Sequence, residues 1–374
     1  MRRVAVPPRP EWRKRAEELG FAFHTIDGKP YWTENVAYAL TAKQVDELED
    51  ATNELEKLCL QAAEKVIAEG LYEPLRIPEL ARPLIEASWN NGEKNLYGRF
   101  DLAYDGKGPP KLLEYNADTP TALYEASVVQ WEWLESTQAG KDQFNSIHER
   151  LVDAWGALEI EGRELHFSCV RDHAEDRGTV DYLRDTAIQA GLDAKFLHVD
   201  EIGWNEGRGT FMDLDDRPIR TLFKLYPWEW LIGEDFARHI GPSGIRMIEP
   251  PWKMVLANKG ILALLWHMFP DHPNLLPASL DEKDAEAPYV KKPLLGREGA
   301  NVTLVDGPRS VTTEGSYGAE GFVYQAMAKL PNFDGNYPVV GSWVVASESA
   351  GIGIREDDTP ITQDTSRFVP HFFD

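Results

Sequence analysis

The sequence has little cysteine, little basic charge and no long apolar run. Two cysteines, Cys59 and Cys169, in 374 residues cannot build a disulfide framework. That usage fits a reducing cytoplasm. Each cysteine falls in an apolar pattern, so both are expected to be buried small hydrophobes. No window approaches the ~18 uninterrupted apolar residues of a membrane span. The opening MRRVAVPPRPEWRKRAEELG is basic but lacks an apolar core, so a secretory signal is not expected. Lysine and arginine total 39 against 62 aspartates and glutamates, a net charge of −23. Such a chain repels phosphate backbones and anionic lipid, which argues against nucleic acid and membrane as partners. A cationic small molecule would be attracted. There is no GxxxxGK[ST] motif and hence no P-loop. His148, His166, His198 and His267 have no metal-ligand spacing, so no zinc site is expected.

What is present is a chain long enough for two or three packed lobes. In LTAKQVDELEDATNELEKLCLQAAEKVIAEG, Thr41 and Gln44 have the spacing of a capping box. Val45, Leu48, Leu55, Leu58, Ala62 and Val66 recur at helical steps, and Gly70 closes the pattern. A long amphipathic helix follows. GRFDLAYD and KLLEYNAD flank the turn-rich GKGPP and predict a β-hairpin. Between 163 and 250, strand and helix patterns alternate, as a parallel sheet requires. HFSCV, KFLHV and TLFKLYP are the strands, and RDHAEDRG is a polar loop after the first. FKLYPWEW is expected to be an aromatic core strand whose Lys224 and Glu229 could reach a ligand. After Pro250, NKGILALLWHMF predicts a helix. YVKKPLL, ANVTLV, GFVYQAM, YPVVGSWVVAS and SAGIGIRED then predict closely spaced antiparallel strands. The chain divides into residues 1–162 with the long helix and the hairpin, an α/β lobe over 163–250, and a strand-rich lobe over 251–374. Its class is a mixture of α+β and α/β.

The hairpin carries the chemistry. Strand side chains alternate faces, so Glu114, Asn116 and Asp118 form one row and Arg99 and Asp101 another. A solvated face is the usual meaning of such alternation. If the two rows share a face, however, clustered carboxylates need a cation among them. Hard oxygen ligands of this kind suit Mg²⁺ with a nucleotide's phosphates. YVKKPLLGREGANV places two lysines before a glycine-rich loop with Arg297, where backbone N–H groups can approach phosphate. Lys291 and Lys292 are adjacent, so one points inward and one outward.

RFDLAYD…LLEYNADTPT, NKGILALLWHMFP, YVKKPLLGREGANV and GIGIRED together resemble the glutathionylspermidine synthetase family, and most closely its stand-alone acid–amine ligases. The resemblance runs from about Trp12 to the C-terminus. It implies an ATP-grasp fold in permuted order, with the metal motif ahead of the lysines and glycine loop, and a pre-ATP-grasp α/β lobe. It implies ATP and Mg²⁺ as cofactors. Asp101, Glu114 and Asn116 match the magnesium ligands, and Arg99 and Arg355 match arginines at the reaction centre. Lys259 and Lys292 match phosphate-holding lysines, and Gly296, Gly299 and Gln325 complete the implied ATP set. Asp118, Thr119, Thr121 and Glu175 fall at substrate positions. The implied activity is ADP-forming amide synthesis through an acyl phosphate. It would join a small-molecule carboxylate, peptide or glutathione-like, to an amine. No amidase segment with a catalytic cysteine is present in the sequence. Arg367 stands where the family places an acid facing the polyamine, which argues against spermidine. Two other readings fit parts of the sequence. One is a non-catalytic ATP- or peptide-binding relative. The other is a carboxylate-dependent glycoside hydrolase.

Overall fold

A computed structural model describes residues 1–26, 28–363 and 366–374. Two antiparallel sheets and one parallel sheet surround the hairpin. The central sheet has the strand order Arg367–Val369, Glu348–Asp357, Tyr337–Val345, Tyr97–Ala103, Lys111–Asn116. The hairpin is thus completed by strands from the C-terminal end of the chain. Its register sets Arg99 opposite Asn116 and Asp101 opposite Glu114.

The far face of this sheet is covered by the helix Ala42–Glu69. Thr41 and Gln44 form the capping box, and Gly70 ends the helix with φ 66°. Leu48 and Leu55 on its inner face are fully buried, and truncating either to alanine would cost about 2–5 kcal/mol. The helix also holds the hairpin's back side. Tyr115 stacks on Phe100 and donates its hydroxyl to the buried Glu56 at 2.8 Å. Apolar side chains and the helix take one face of the hairpin, so the oxygen-bearing face is left for other work.

A second antiparallel sheet runs Ala278–Ser279, Phe322–Ala326, Tyr289–Pro293, Thr303–Asp306, Arg309–Thr312. The last strand was not expected; its side chains are exposed, so it carries no apolar alternation to read. Residues 164–248 contain the parallel sheet, ordered Arg246–Ile248, Thr221–Leu225, Glu164–Cys169, Asp193–Phe196. Two expectations here need correction. RDHAEDRG is not all loop, because the helix Ala174–Gln189 begins within it. FKLYPWEW is a strand only to Leu225, and Trp228–Leu231 is a helical turn after Pro227. Proline fixes its own φ and lacks the N–H a sheet needs, which ends the strand. Cys59 and Cys169 are both buried and unpaired. Among the described residues, no helix is long and apolar enough to cross a membrane.

Candidate active site

The polar face of the hairpin is a charge network. Asp101 lies at its centre. Arg99 Nε donates to Asp101 Oδ1 at 2.9 Å, and Arg355 Nη2 donates to Oδ2 at 2.6 Å. Asn116 Nδ2 lies 3.2 Å from Glu114 Oε1 and 3.4 Å from Asp101 Oδ2, bridging the two carboxylates. Lys259 Nζ sits 3.0 Å from Glu114 Oε2. Arg99 needs unusual room. A Cβ added at Gly341 on the neighbouring strand would meet Arg99 Cδ at 2.9 Å, so glycine there admits the side chain.

These charges set the protonation states. Burial alone would raise the Glu114 carboxyl, but Lys259 and Lys292 override it and hold the group well below the usual carboxylate range. Burial pushes Lys292 down to about 8 against the opposing pull of Glu114. Lys292 Nζ donates to Leu113 O and Gln325 Oε1, both at 2.8 Å, and Gln325 Nε2 donates to Leu112 O at 2.9 Å. Gln325 therefore bridges the second sheet to the hairpin's edge. Lys291 points the other way and lies over the Phe322 ring, so the inward lysine of the pair is Lys292.

Every residue matched to the metal, ATP, reaction-centre or substrate sets lines one of two adjoining cavities, whereas Lys224 and Arg367 line neither. One is a polar chamber walled by Arg99, Asn116, Asp118, Thr119, Thr121, Glu175, Lys259, Gly296 and Arg355. The other is a more apolar slot between the two antiparallel sheets, with Lys292 and Gln325 at its polar end and Val290, Leu304, Met327 and Ile361 along its walls. Asp101, Glu114 and Gly299 line both. Gly299 has φ 69°, and an added Cβ would meet Thr362 O at 2.5 Å, so this loop position admits glycine alone.

Three placements differ from the sequence reading. Asp118 is not in the strand row, because the strand ends at Asn116. Its carboxylate is held by Lys224 Nζ at 2.7 Å and by the backbone N–H of Trp228 at 2.8 Å. Asp118 and Lys224 thus form a buried ion pair that joins the hairpin to the parallel sheet. Glu175 lies in the first turn of a helix rather than in a loop. Burial raises its pKa, and Thr121 opposes that shift by a hydrogen bond. Arg367 lines neither cavity. Its guanidinium bonds Asp358 at 2.8 Å and lies 3.6 Å from Glu356, so its charge is spent locally.

Three further cavity residues carry no local pattern. Tyr31, His173 and Trp230 line the chamber. Arg297 Nη2 donates to Thr119 Oγ1 at 2.7 Å and lies 3.5 Å from Glu229. A hydrogen bond donated to the Asp176 carboxylate raises His173 to about 9. Among the described residues, no group of three or more His, Cys, Asp or Glu side chains is arranged around a metal position. The hairpin set is two carboxylates and a carboxamide, with cationic side chains now on the carboxylate oxygens.

The family model described as glutathionylspermidine synthase preATP-grasp matches residues 3–374. A Haemophilus influenzae protein named "Putative acid–amine ligase" is 47% identical over 393 aligned positions, covering 100% of both chains. Trypanothione synthetase of Crithidia fasciculata is 32% identical over 79% of this chain and 50% of its own length. The bifunctional glutathionylspermidine synthetase/amidase of Escherichia coli is 28% identical over 89% of this chain and 58% of its own. The chain thus spans little more than half the length of these two larger relatives. All three carry ligase or synthetase names, for enzymes that form C–N bonds. A glutathione synthetase-like effector from Globodera pallida superposes with TM-score 0.56 over 90% of this chain and 89% of its own at 10% identity, a likeness of fold. The fold is that of the glutathione synthetase-like ATP-grasp proteins, and the chain belongs to the glutathionylspermidine synthase preATP-grasp family.

Proposed function

We propose that this chain is an ATP-dependent ligase that joins a small-molecule carboxylate to an amine through an acyl phosphate, with Mg²⁺ as its metal. One observation carries the reading. Two carboxylates, two guanidinium groups and two lysines converge where a polar chamber meets an apolar slot.

The apolar slot suits a purine ring, and Gln325 and Lys292 at its end suit the ring's polar edge and the phosphates that follow. Lys259 and the glycine loop lie where the phosphate chain would enter the chamber. The donor set of Asp101, Glu114 and Asn116 fits Mg²⁺, which prefers hard oxygen ligands and few carboxylates. These residues would hold the ion through their side-chain oxygens. When bound, it would supply charge neutralisation to the phosphates.

The chain's own residues do the rest. Arg99 and Arg355, fixed on Asp101, are aimed where negative charge develops as a substrate carboxylate attacks the γ-phosphoryl group. They are held in place before reaction, so little reorganisation is needed. Thr119, Thr121 and Arg297 offer hydroxyl and guanidinium donors to a peptide or glutathione-like carboxylate. Glu175, Asp176 and Glu229 give the chamber wall the negative charge that a cationic amine needs. The glycine loop, with Arg297 reaching across to Thr119, shields the acyl phosphate from water.

The glycosidase alternative fails on the pairing of its acids. Asp101 and Glu114 both carry cationic partners, and the Glu114 carboxyl is held low where sugar cleavage requires a raised acid. Glu114→Ala tests the ligase reading. The variant should keep its fold and lose magnesium-dependent ADP release. Unchanged ADP release would remove Glu114 from the metal site.

A further inference from the structure

One buried acid is unused by the reading above. Glu125 opens a π-helical turn, Glu125–Val129, and is completely buried. Such turns are rare and occur often at functional sites. Tyr31 Oη donates to Glu125 Oε1 at 2.7 Å, while Oε2 is buried with no partner. A buried carboxylate oxygen without a donor is costly to keep unless it has a task. Tyr31 forms part of the chamber wall, beside Arg355 and Glu175. Its backbone is pinned, because Phe368 N donates to Tyr31 O at 2.7 Å. Tyr31 thus lines the chamber with an acid bonded to its phenol oxygen.

We propose that Tyr31 takes the proton from the attacking amine and relays it to Glu125. This rests on the ligase reading. The amine arrives as an ammonium ion, since alkylamines hold their proton to about pH 10. It must lose that proton to become a nucleophile. The N–H proton passes to Tyr31 Oη as the Tyr31 Oη–H proton passes to Glu125 Oε1. The freed nitrogen lone pair forms the C–N bond, and the C–O bond to phosphate breaks. Phosphate leaves with that bonding pair and takes up the second N–H proton. Glu125 returns its own proton to solvent through Tyr31 after product leaves.

The surroundings match the task. Burial, then the charge of Glu175, pushes Glu125 up to about 8, with Tyr31 and Arg99 pulling the other way and Tyr124 adjoining. The protonated form prevails at neutral pH, and the ionised fraction, which grows as pH rises towards 8, is the acceptor, with a basicity matched to the working pH.

The test compares two nucleophiles at neutral pH. Hydroxylamine is already neutral there and needs no prior deprotonation, whereas an alkyl diamine does. Glutathione and short peptides supply the carboxylate. ADP release is measured in the wild type, Tyr31→Phe and Glu125→Gln. Both variants preserve packing, and glutamine still accepts the Tyr31 hydrogen bond. The diamine rate relative to the hydroxylamine rate should fall at least tenfold in both. A purely structural role would lower both rates together and leave the ratio unchanged, and that overturns the relay. Hydroxylamine-dependent release in wild type separates this failure from failure of the ligase reading. Its absence there with every carboxylate defeats that reading, and the relay with it.

Discussion

Arg355 and Asp101 lie 254 residues apart in sequence, yet the guanidinium donates to the carboxylate at 2.6 Å. Two antiparallel ladders make this contact possible, because Gly341 pairs with both Asp101 and Gly353. Burial would lower the Arg355 pKa, but Asp101, Tyr31 and Glu114 together more than offset that and keep the cation. Arg355→Ala should therefore lower kcat by about 10²-fold or more, the usual loss when one stabilising donor is removed. Arg355→Lys should recover little, since an ammonium lacks the planar fork. Steady-state ADP release measures both. Full activity in Arg355→Lys would show that charge alone suffices.

Lys292 gives a pH prediction. Its pKa of about 8 means that its positive charge is present below pH 8 and is lost as pH rises through that value. If Lys292 holds phosphate, KM for ATP should rise between pH 7 and 9. Lys292→Arg should flatten that rise, because arginine stays charged. The same slope in wild type and variant would place the titrating group elsewhere.

Glu125 gives a stability prediction with a definite sign. Its folded pKa is raised to about 8 against an ordinary carboxyl value near 4.3. The stability tied to its neutral form is complete below the unfolded value. It is lost as pH rises towards the folded value. Glu125→Gln cannot ionise and keeps the neutral shape. It should be more stable than wild type at pH 7, by on the order of 3–4 kcal/mol. The gap should close as pH falls towards about 4.5. Urea unfolding at several pH values tests this. A gap that does not depend on pH would mean Glu125 is ionised in the folded protein.

Arg367 offers a prediction that reverses its sequence reading. By sequence, a positive charge there disfavours polyamines. In the fold it bonds Asp358 and neighbours the buried Glu356, away from both cavities. Arg367→Asp should leave amine preference unchanged. It should destabilise the protein, because a third acid joins two others. A shift towards spermidine in that variant would return Arg367 to the amine site.

The legible parts of the site were those that short-range rules govern. Period-two alternation was enough to read Arg99, Asp101, Glu114 and Asn116 as rows on a hairpin. Sharing a face then followed from register, which the turn and the apolar back side dictate. For the lysine pair, alternation showed only that one points inward, and the family resemblance pointed to Lys292. Asp118 was misread because alternation was carried two residues past the strand's end, where Lys224 and the Trp228 N–H claim the side chain. Glu175 was read as loop because its helix starts with polar residues and shows no apolar face until Thr179. Tyr31 and Glu125 had no local signal. They are 94 residues apart and meet only through tertiary packing, a juxtaposition beyond any periodicity.

The most direct measurement is ADP release by the purified protein with Mg²⁺ and ATP, across a matrix of carboxylates and amines. Glutathione, short peptides and free amino acids supply one axis, and polyamines and simple amines the other. The predicted result is release that requires one carboxylate and one amine together and disappears in Glu114→Ala. ATP binding without release in any combination would contradict the ligase and leave a nucleotide-binding protein on the same fold.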